Sequence, residues 1–313
     1  MVYAGFLIRV TPNPDKLDPS FLSAYVRTDG YWNWVRSNSM RSGQPGINGQ
    51  QLSTLPVPLP PILEQGPISE AMSDADALIE SLQQLIAKKR AIKQGAMQAL
   101  LTGQERLLEF NGEWEVKRLD MLADIRSGGT PATGQSDFWN GEVPWCTPTD
   151  ITALCGHKYL RKTARKITEK GLQSSSTELI PAGSVVMTSR ATIGECALNL
   201  VPVTTNQGFK NFVPFDDTDA EFLYYLLLMQ TQGFISLCGG STFLEISKKQ
   251  LAAYQVRFPP SKDEQTAIAT VLSDMDAEID ALEARLAKTR DLKAGMMQAL
   301  LTGRIRLPLD EAA

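Results

Sequence analysis

Two long stretches of the chain share one hydrophobic pattern. Apolar residues follow at intervals of four and three from Ile68 to Ile86, and the same intervals recur from Ile268 to Leu286. An average spacing of 3.5 residues is typical of a coiled-coil stripe. The stripe positions are Ile68, Met72, Ala75, Ile79, Leu82 and Ile86, and Ile268, Leu272, Met275, Ile279, Leu282 and Leu286. The pattern predicts two long helices, at 61–104 and 261–305.

The ends of both helices are also marked. Prolines precede them at 60–61 and 259–260, and Thr-Gly pairs follow at 102–103 and 302–303, where glycine suits a left-handed cap. Thr289 and Lys293 occupy the slots after Leu286, so we expect the apolar face to shift near the C-terminal ends. The shifted positions are Ile92, Ala96, Leu100, Leu292, Met296 and Leu300. Two helices of equal length and phase are predicted to pair with each other, and an antiparallel pair would have a globular domain at each end.

The helices belong to a longer internal repeat with an offset of about 200 residues. KKRAIKQGAMQALLTGQERL matches KTRDLKAGMMQALLTGRIRL, and a weaker match extends upstream as far as 4–10 and 207–213. The segment 113–206 has no counterpart. The repeat therefore divides the chain into a partial domain at 1–60, a helix at 61–104, a complete domain at 113–260 and a second helix at 261–305.

The domain at 113–260 mixes strand and helix patterns. Residues 178–198 indicate two strands joined by a turn, and 219–237 indicate an amphipathic helix. In the partial domain, 21–26 also resembles a helix, and we expect its apolar residues to lack cover: Phe6, Phe21, Leu22 and Tyr25. The predicted fold class is α+β, a mixed α/β domain with two long helices forming an antiparallel coiled coil.

Composition excludes fewer classes of function than the repeat does. The 313 residues are 43% hydrophobic, carry a net charge of −4, and show neither an export signal nor an apolar run of membrane-spanning length. The acidic balance argues mildly against a polyanionic partner unless basic residues cluster locally. Four cysteines form no CxxC pair, so we expect reduced, mostly buried thiols in a cytoplasmic protein and no metal site.

Catalytic signatures are missing from the sequence. It has no phosphate-binding loop, no dinucleotide fingerprint, no zinc-protease or nucleophile-elbow motif, and no Asn-Pro-Pro-aromatic signature of amino-group DNA methyltransferases. His157 is the one histidine. We expect no catalytic residue in this chain.

A basic run lies between 158 and 170. Its cations could contact a nucleic-acid backbone, which gives affinity without sequence information. The alternative is an ordinary solvated face. The residues assigned to backbone contact are Lys158, Arg161, Lys162, Arg165 and Lys166.

Five polar loops accompany the basic run, at 127–131, 147–150, 188–192, 205–210 and 239–243. Their side chains could read base edges, with arginine suited to guanine and Asn or Gln suited to adenine. The alternative is turn chemistry, which uses the same residue types. The candidate base-reading residues are Ser127, Thr130, Thr147, Thr149, Asp150, Ser189, Arg190, Thr192, Asn206, Gln207, Lys210 and Thr242.

Several of these segments resemble the target-recognition domain of type I restriction–modification specificity subunits. They are EVKRLDMLADIRSGGTP, FWNGEVPWCTPTDI, ITEKGLQSSSTELIPAGSVVMTSRATIG and TNQGFKNFVP, and KQGAMQALLTGQERL and KAGMMQALLTGRIRL resemble the spacer helices of that family. The resemblance implies two recognition domains, each reading half of a split DNA target, held by antiparallel helices. It implies a non-catalytic chain that binds two methyltransferase subunits, which use S-adenosylmethionine, and a translocating nuclease subunit.

The N-terminal region departs from that pattern, because the counterpart of 113–206 is absent from the first domain. A missed upstream start, a decayed or recombined gene, and completion by another chain would each explain the difference. Three other functions stay open. The chain could be a coiled-coil adaptor that reads no DNA, an enzyme acting on nucleic acid by itself, or a half-size specificity protein that dimerises.

Overall fold

The computed structural model describes residues 7–39, 45–238 and 244–307. The chain divides into two compact units, which are described separately. The helical unit comprises the residues up to 90 and those from 278 onward, and the sheet unit comprises 91–277. Among the described residues, none of the helices combines the length and apolar character needed to cross a membrane.

Where the structure describes it, the helical unit contains three short helices and parts of two long ones. Each short helix begins at a polar residue that accepts backbone hydrogen bonds, namely Asp18, Thr28 and Asn48. The helices are α1 (Pro19–Tyr25), α2 (Asp29–Asn38), α3 (Gly49–Leu52), the first part of α4 (Ile62–Leu101) and the last part of α10 (Lys262–Leu300).

The predicted antiparallel pairing of the long helices is confirmed. In the helical unit, Ile68 near the start of α4 packs in one cluster with Leu300 at the end of α10, and Leu82 packs with Leu286. In the sheet unit, Leu100 at the end of α4 shares a core with Ile268 near the start of α10. As residue numbers increase along α4, the residue numbers that they contact on α10 decrease, which is the arrangement of an antiparallel pair.

The predicted shift of the apolar face is only partly correct. Leu100 and Leu300 are buried, and Ala96 and Met296 pack against buried clusters. Ile92 and Leu292 are 47% and 57% exposed, whereas Thr289 is buried. Lys293 follows the original phase, and its ammonium pairs with Asp76 on the facing helix. A lysine can occupy such a position because its methylene stem lies along the seam while its charge reaches an acid.

The predicted glycine caps are confirmed in conformation. Gly103 and Gly303 have φ angles of 69° and 71°, in the left-handed region that glycine adopts without a steric penalty. The helices themselves end at Leu101 and Leu300, slightly before the predicted ends.

The expectation of uncovered residues in the partial domain is partly wrong. Phe21 is fully buried against Ile68 and Met72, and Tyr25 is buried with its hydroxyl donating to Pro56 O at 2.6 Å. Leu22 is half-buried, and Phe6 lies outside the described residues. Helix α1 packs on α4 without needing a sheet, which explains the difference. The exposed apolar residues are instead Leu7, Ile8, Val10, Trp32 and Leu59.

The described residues of the sheet unit form three sheets. The order β2-β9-β6-β7-β4 forms the largest, β5-β3-β8 the second, and β1-β10 the third. The strands are β1 (Glu115–Arg118), β2 (Ala123–Ser127), β3 (Trp139–Cys146), β4 (Tyr159–Leu160), β5 (Arg165–Ile167), β6 (Val185–Thr188), β7 (Cys196–Asn199), β8 (Thr204–Thr205), β9 (Phe209–Pro214) and β10 (Gln255–Phe258). The helices are α5 (Pro148–Thr152), α6 (Glu169–Gln173), α7 (Ala220–Met229), α8 (Thr231–Ser236) and α9 (Lys248–Ala253).

The core of the sheet unit lies between the five-stranded sheet and the helices. The predicted strands in 178–198 are confirmed as β6 and β7, which pair antiparallel. The predicted helix in 219–237 is present as α7 and α8, but α7 is not amphipathic. All residues from Phe222 to Leu227 are buried, because strands contact one side of α7 and α10 contacts another.

Candidate nucleic-acid interface

Four of the five polar loops lie together in the sheet unit. Gly129 N donates to Thr205 O at 2.9 Å, which joins the loop after β2 to the turn between β8 and β9. Asn206 N donates to Cys146 O at 3.1 Å, which brings in the loop after β3. Ser189 N donates to Gly208 O at 2.7 Å, which adds the turn after β6. These four segments are called the loop cluster.

Glycine makes this convergence sterically feasible. A Cβ built on Gly128 would overlap the carbonyl oxygen of Asn206 and atoms of Thr205. The loop after β2 therefore approaches the neighbouring turn more closely than any residue with a side chain would permit. The same two loops are also joined by Thr130 Oγ1, which donates to Gln207 Oε1 and so links two candidate base-reading residues.

The loop after β3 uses its candidate residues mainly to hold its own shape. Asp150 Oδ2 accepts from both the backbone N and the Oγ1 of Thr147, each at 2.8 Å. Asp150 Oδ1 accepts from Ala164 N at 2.7 Å, which ties the loop to the basic run. Thr149 is exposed. The structure thus gives Asp150 and Thr147 positioning contacts and leaves Thr149 facing solvent.

The turn after β6 presents one side chain outward. Arg190 is exposed, Ser189 is fully buried, and Thr192 is half-buried with its Oγ1 buried. Between them Ala191 has φ of 57°, a left-handed conformation that costs about 1 kcal/mol outside glycine. The arginine is therefore displayed on a tightly constrained turn. Its Nε lies 2.9 Å from Glu245 Oε2.

Lys210 lies beneath the loop cluster instead of on it. Its side chain is buried, and its Nζ lies 3.4 Å from Ser189 Oγ and 3.3 Å from Phe209 O. Burial lowers the pKa of the Lys210 ammonium, Glu245 opposes this by raising the pKa, and Arg190 lowers it further. Ser127 lies beside Lys210, since these two residues pair across β2 and β9. Lys210 and Ser189 support the turn and do not face solvent.

The basic run divides into one buried and several exposed cations. Lys158 is buried, and its Nζ donates to Glu221 Oε2 at 2.8 Å and to Ser273 Oγ at 2.7 Å. Its ammonium therefore belongs to the packing between the sheet, α7 and α10. The exposed members are Arg161, Lys162, Arg165 and Lys166.

Two tryptophans orient one of the exposed cations. The Arg165 guanidinium lies 4.0 Å from the Trp139 ring centroid and 4.9 Å from that of Trp145. Trp145 Nε1 in turn donates to Gly129 O at 3.1 Å, so the stack is joined to the loop cluster. Next to it, Lys166 Nζ lies 3.1 Å from Glu142 Oε2. The exposed basic residues thus adjoin the polar loops.

Sequence reasoning located the loops but missed residues that organise them. Glu245, Trp139 and Trp145 were not candidates, although the alternating pattern of β3 could have indicated inward-facing tryptophans. Nothing in the sequence signalled that Glu245 would meet Arg190, because the contact joins segments 55 positions apart. The fifth loop, with Thr242, lies outside the described residues.

Comparison with known proteins assigns a family to this arrangement. The family model for the type I restriction modification DNA specificity domain matches residues 1–88 and 111–289. The type I restriction enzyme MjaIX specificity subunit of Methanocaldococcus jannaschii is 39% identical over 170 residues, covering 54% of this chain and 39% of that protein. The EcoR124I/EcoR124II specificity subunit of Escherichia coli is 28% identical over 197 residues, covering 60% and 48%. The chain therefore spans less than half the length of these relatives.

Solved structures share the fold. The HsdS subunit from Thermoanaerobacter tengcongensis matches with a TM-score of 0.53 and 20% identity, over 93% of this chain and 71% of that one. The type I restriction–modification S subunit from M. genitalium matches with a TM-score of 0.61 and 15% identity, over 92% and 74%. With a family model that matches most of its residues, this chain belongs to the type I restriction modification DNA specificity domain family.

Proposed function

We propose that this chain reads DNA sequence as a specificity component of a type I restriction–modification complex. The observation that carries the proposal is the loop cluster, in which four segments distant in sequence present polar side chains beside exposed cations. Hydrogen-bonding groups for base edges and cations for phosphates are the two requirements of sequence-specific DNA binding. The specificity subunits among the relatives support the same function.

The residues divide by exposure into readers and supports. We assign base reading to the exposed or half-exposed Arg190, Gln207, Thr130, Thr149 and Asn206. Their loops are held by the others, because Ser127, Thr147, Asp150, Ser189, Thr192 and Lys210 lie beneath them or bond within them. Phosphate contact is assigned to Arg161, Lys162, Arg165 and Lys166, and Lys158 is left out because it is buried.

The domain organisation follows the repeat. Residues 113–260 form the complete recognition domain, 1–60 form the remnant of a first one, and 61–104 and 261–305 are the spacer helices. The helical unit supports a partner-binding role for the first spacer helix, because Leu78 and Leu85 lie seven residues apart and are each more than one-third exposed.

The partners we propose are double-stranded DNA, two methyltransferase subunits and a translocating nuclease subunit. The catalytic chemistry, including the use of S-adenosylmethionine, then belongs to those partners, and this chain contributes recognition in the cytoplasm, where the DNA lies. Membership of the family supports this division of labour.

The experiment that tests the function is selection of duplexes from a random library by the full chain, followed by titration of the selected and a random duplex. Arg190→Ala should reduce the ratio of the two affinities about tenfold, since a bidentate arginine–guanine contact contributes about 1–3 kcal/mol. Replacing Arg161, Lys162 and Lys166 together should lower both affinities by the same factor. The plot of log affinity against log salt concentration should become shallower by roughly 0.9 per lost phosphate contact.

An exposed arginine on the two-stranded sheet provides the matched control. Arg257→Ala should leave both affinities unchanged, because β10 pairs with β1 and belongs to a different sheet from the loops. Equal losses from the Arg190 and the lysine–arginine variants would contradict the assigned roles. Failure of the selection to enrich any sequence would leave an adaptor without DNA reading as the better description.

A further inference from the structure

Glu245 holds the side chain to which base reading is assigned. Its Oε2 lies 2.9 Å from Arg190 Nε, and the two side chains are 41% and 46% exposed. Residues 190 and 245 face each other across an antiparallel bridge, and Ile246 N donates to Ser189 O at 3.1 Å. The backbones of two separate segments therefore fix the carboxylate beside the guanidinium.

This ion pair is easily exchanged. Water screens ion pairs in which both side chains are this exposed, so the paired arrangement is favoured over the separated one by about fivefold or less. Arg190 can leave Glu245 for a better acceptor at little cost. A bidentate contact to O6 and N7 of guanine is such an acceptor.

The charge of Glu245 distinguishes two kinds of acceptor. A DNA phosphate is an anion, so its approach to Arg190 brings it next to the carboxylate and is opposed by repulsion. A guanine edge is neutral and meets no such repulsion. Without the carboxylate, Arg190 would bind phosphates of any sequence, because arginine forms strong bidentate bonds with phosphate.

A second cation also acts on Glu245. Lys210 is buried with its Nζ 3.4 Å from Ser189 Oγ, and Glu245 raises the pKa of that ammonium against the effect of burial. Glu245 therefore interacts electrostatically with Lys210 as well as with Arg190.

We propose that Glu245 is a specificity-determining residue, which holds Arg190 in the free protein and keeps it from phosphates, so that Arg190 is released to a neutral base edge. The inference rests on the proposed function and adds a residue whose role is to lower non-specific affinity. Such a residue increases discrimination by weakening binding to the wrong partner.

The test combines Glu245→Gln with Arg190→Ala in a double-mutant cycle. The probes are the duplex selected from the random library and a random-sequence duplex of the same length. Glu245→Gln keeps the size of the side chain and removes its charge. We expect affinity for the random duplex to rise about fivefold and affinity for the selected duplex to rise less, so that the ratio falls. In the Arg190→Ala background, the same change should leave the ratio as it was.

The matched control is Glu142→Gln, which removes the carboxylate paired with Lys166 at 3.1 Å. Lys166 is assigned to phosphate contact, so this change should raise both affinities equally. Thermal unfolding of each variant shows whether the fold is retained.

Other outcomes separate the two ideas. If wild-type protein prefers its selected duplex but Glu245→Gln raises both affinities equally, the carboxylate acts only by general repulsion and the inference is wrong. A fall in the ratio that persists without Arg190 also overturns it. If wild-type protein prefers no duplex, the proposed function fails, and the role of Glu245 fails with it.

Discussion

The two copies of the repeat make the same contacts where the long helices begin. Gln65 donates to Lys16 O and Pro60 O and accepts from Asp18 N. Gln265 repeats all three contacts, with Asp217 O, Pro259 O and Asp219 N. Both glutamines are fully buried. A buried amide that satisfies three backbone groups fixes the start of each helix against the domain preceding it.

The neighbouring glutamates are equally well matched. Arg106 donates two hydrogen bonds to Glu264, at 2.6 and 2.9 Å, and Arg306 donates two to Glu64. Each pair joins the segment after one long helix to the start of the other. The surroundings differ, because Trp114 Nε1 also donates to Glu264 at 3.1 Å, and the Arg106 side chain is 25% exposed against 59% for Arg306.

The copies diverge two to three helical turns further along the long helices. In the sheet unit, Tyr225 donates to Asp276 at 2.6 Å, and Lys158 bonds to Glu221 and Ser273 beside it. By the repeat, Ala24 and Ser20 stand where Tyr225 and Glu221 stand. The helical unit has a cavity of about 340 Å³ there, lined by these two residues, Arg27, Asp76 and other side chains. The same start of a long helix is therefore found with a tyrosine packed beside it in one copy and a cavity beside it in the other.

The largest difference should appear when the matched glutamates are removed. Glu264→Ala leaves Arg106 and the Trp114 indole without their acceptor in a buried setting, and should cost about 3 kcal/mol in the free energy of unfolding. Glu64→Ala should cost less, because Arg306 is open to water. Urea unfolding followed by circular dichroism measures both. Equal losses would show that the exposure of the arginine does not matter.

The buried lysine provides the next largest effect. Lys158→Met removes the cation from Glu221, which is partly exposed, and should destabilise the sheet unit by about 2 kcal/mol. Lys162→Met, in the same basic run but exposed, should change stability by no more than about 0.5 kcal/mol and weaken DNA binding instead. If Lys158→Met instead weakened DNA binding and left stability unchanged, Lys158 would belong with the proposed phosphate contacts.

Filling the cavity should make the two copies more alike. Ala24→Tyr places a ring where the sheet unit has Tyr225, and its hydroxyl can reach Asp76. We expect a gain of about 1 kcal/mol in the free energy of unfolding, typical of cavity-filling changes. Ser37→Tyr, on exposed α2, is the control for adding a tyrosine elsewhere. A destabilised Ala24→Tyr variant would indicate that the cavity is too rigid to accept the ring.

The smallest effect concerns pH. The hydrogen bonds from Arg306 hold the pKa of Glu64 below its ordinary value of 4.5, although desolvation opposes them. The contribution of Glu64 to stability is therefore complete above 4.5 and is lost as the pH falls through the lower pKa of the folded state. The difference in urea midpoint between wild-type protein and Glu64→Gln should shrink over that range. A constant difference would contradict the assignment.

Sequence alone predicted the parts of the fold that repeat or alternate. The stripe from Ile68 to Ile86, its copy, and the glycine caps follow from local spacing, so the helices and their pairing were predictable. Lys293 in the seam was not, because its partner Asp76 is 217 positions away. Long-range pairing also explains why the burial of Lys158 and the Arg190–Glu245 contact could not be predicted.

The candidate site shows the same limit. Its polar loops were recognisable from their residue types. Because turns and base-reading residues use the same types, the sequence could not show which of these side chains are exposed. Asp150 looks as suitable for a base as Thr149 does. The hydrogen bonds that it accepts from Thr147 and from Ala164 N, in the connection between β4 and β5, identify Asp150 as a support.

The close approach at Gly128 limits how this surface can be varied. Because a side chain there would occupy the space of the Asn206 carbonyl, changes at Gly128 would separate the loops before altering any of the proposed contacts to DNA. A library intended to retarget the protein should therefore keep Gly128 fixed and vary Thr130, Arg190 and Gln207. The residue with no side chain thus determines which of its neighbours are free to evolve.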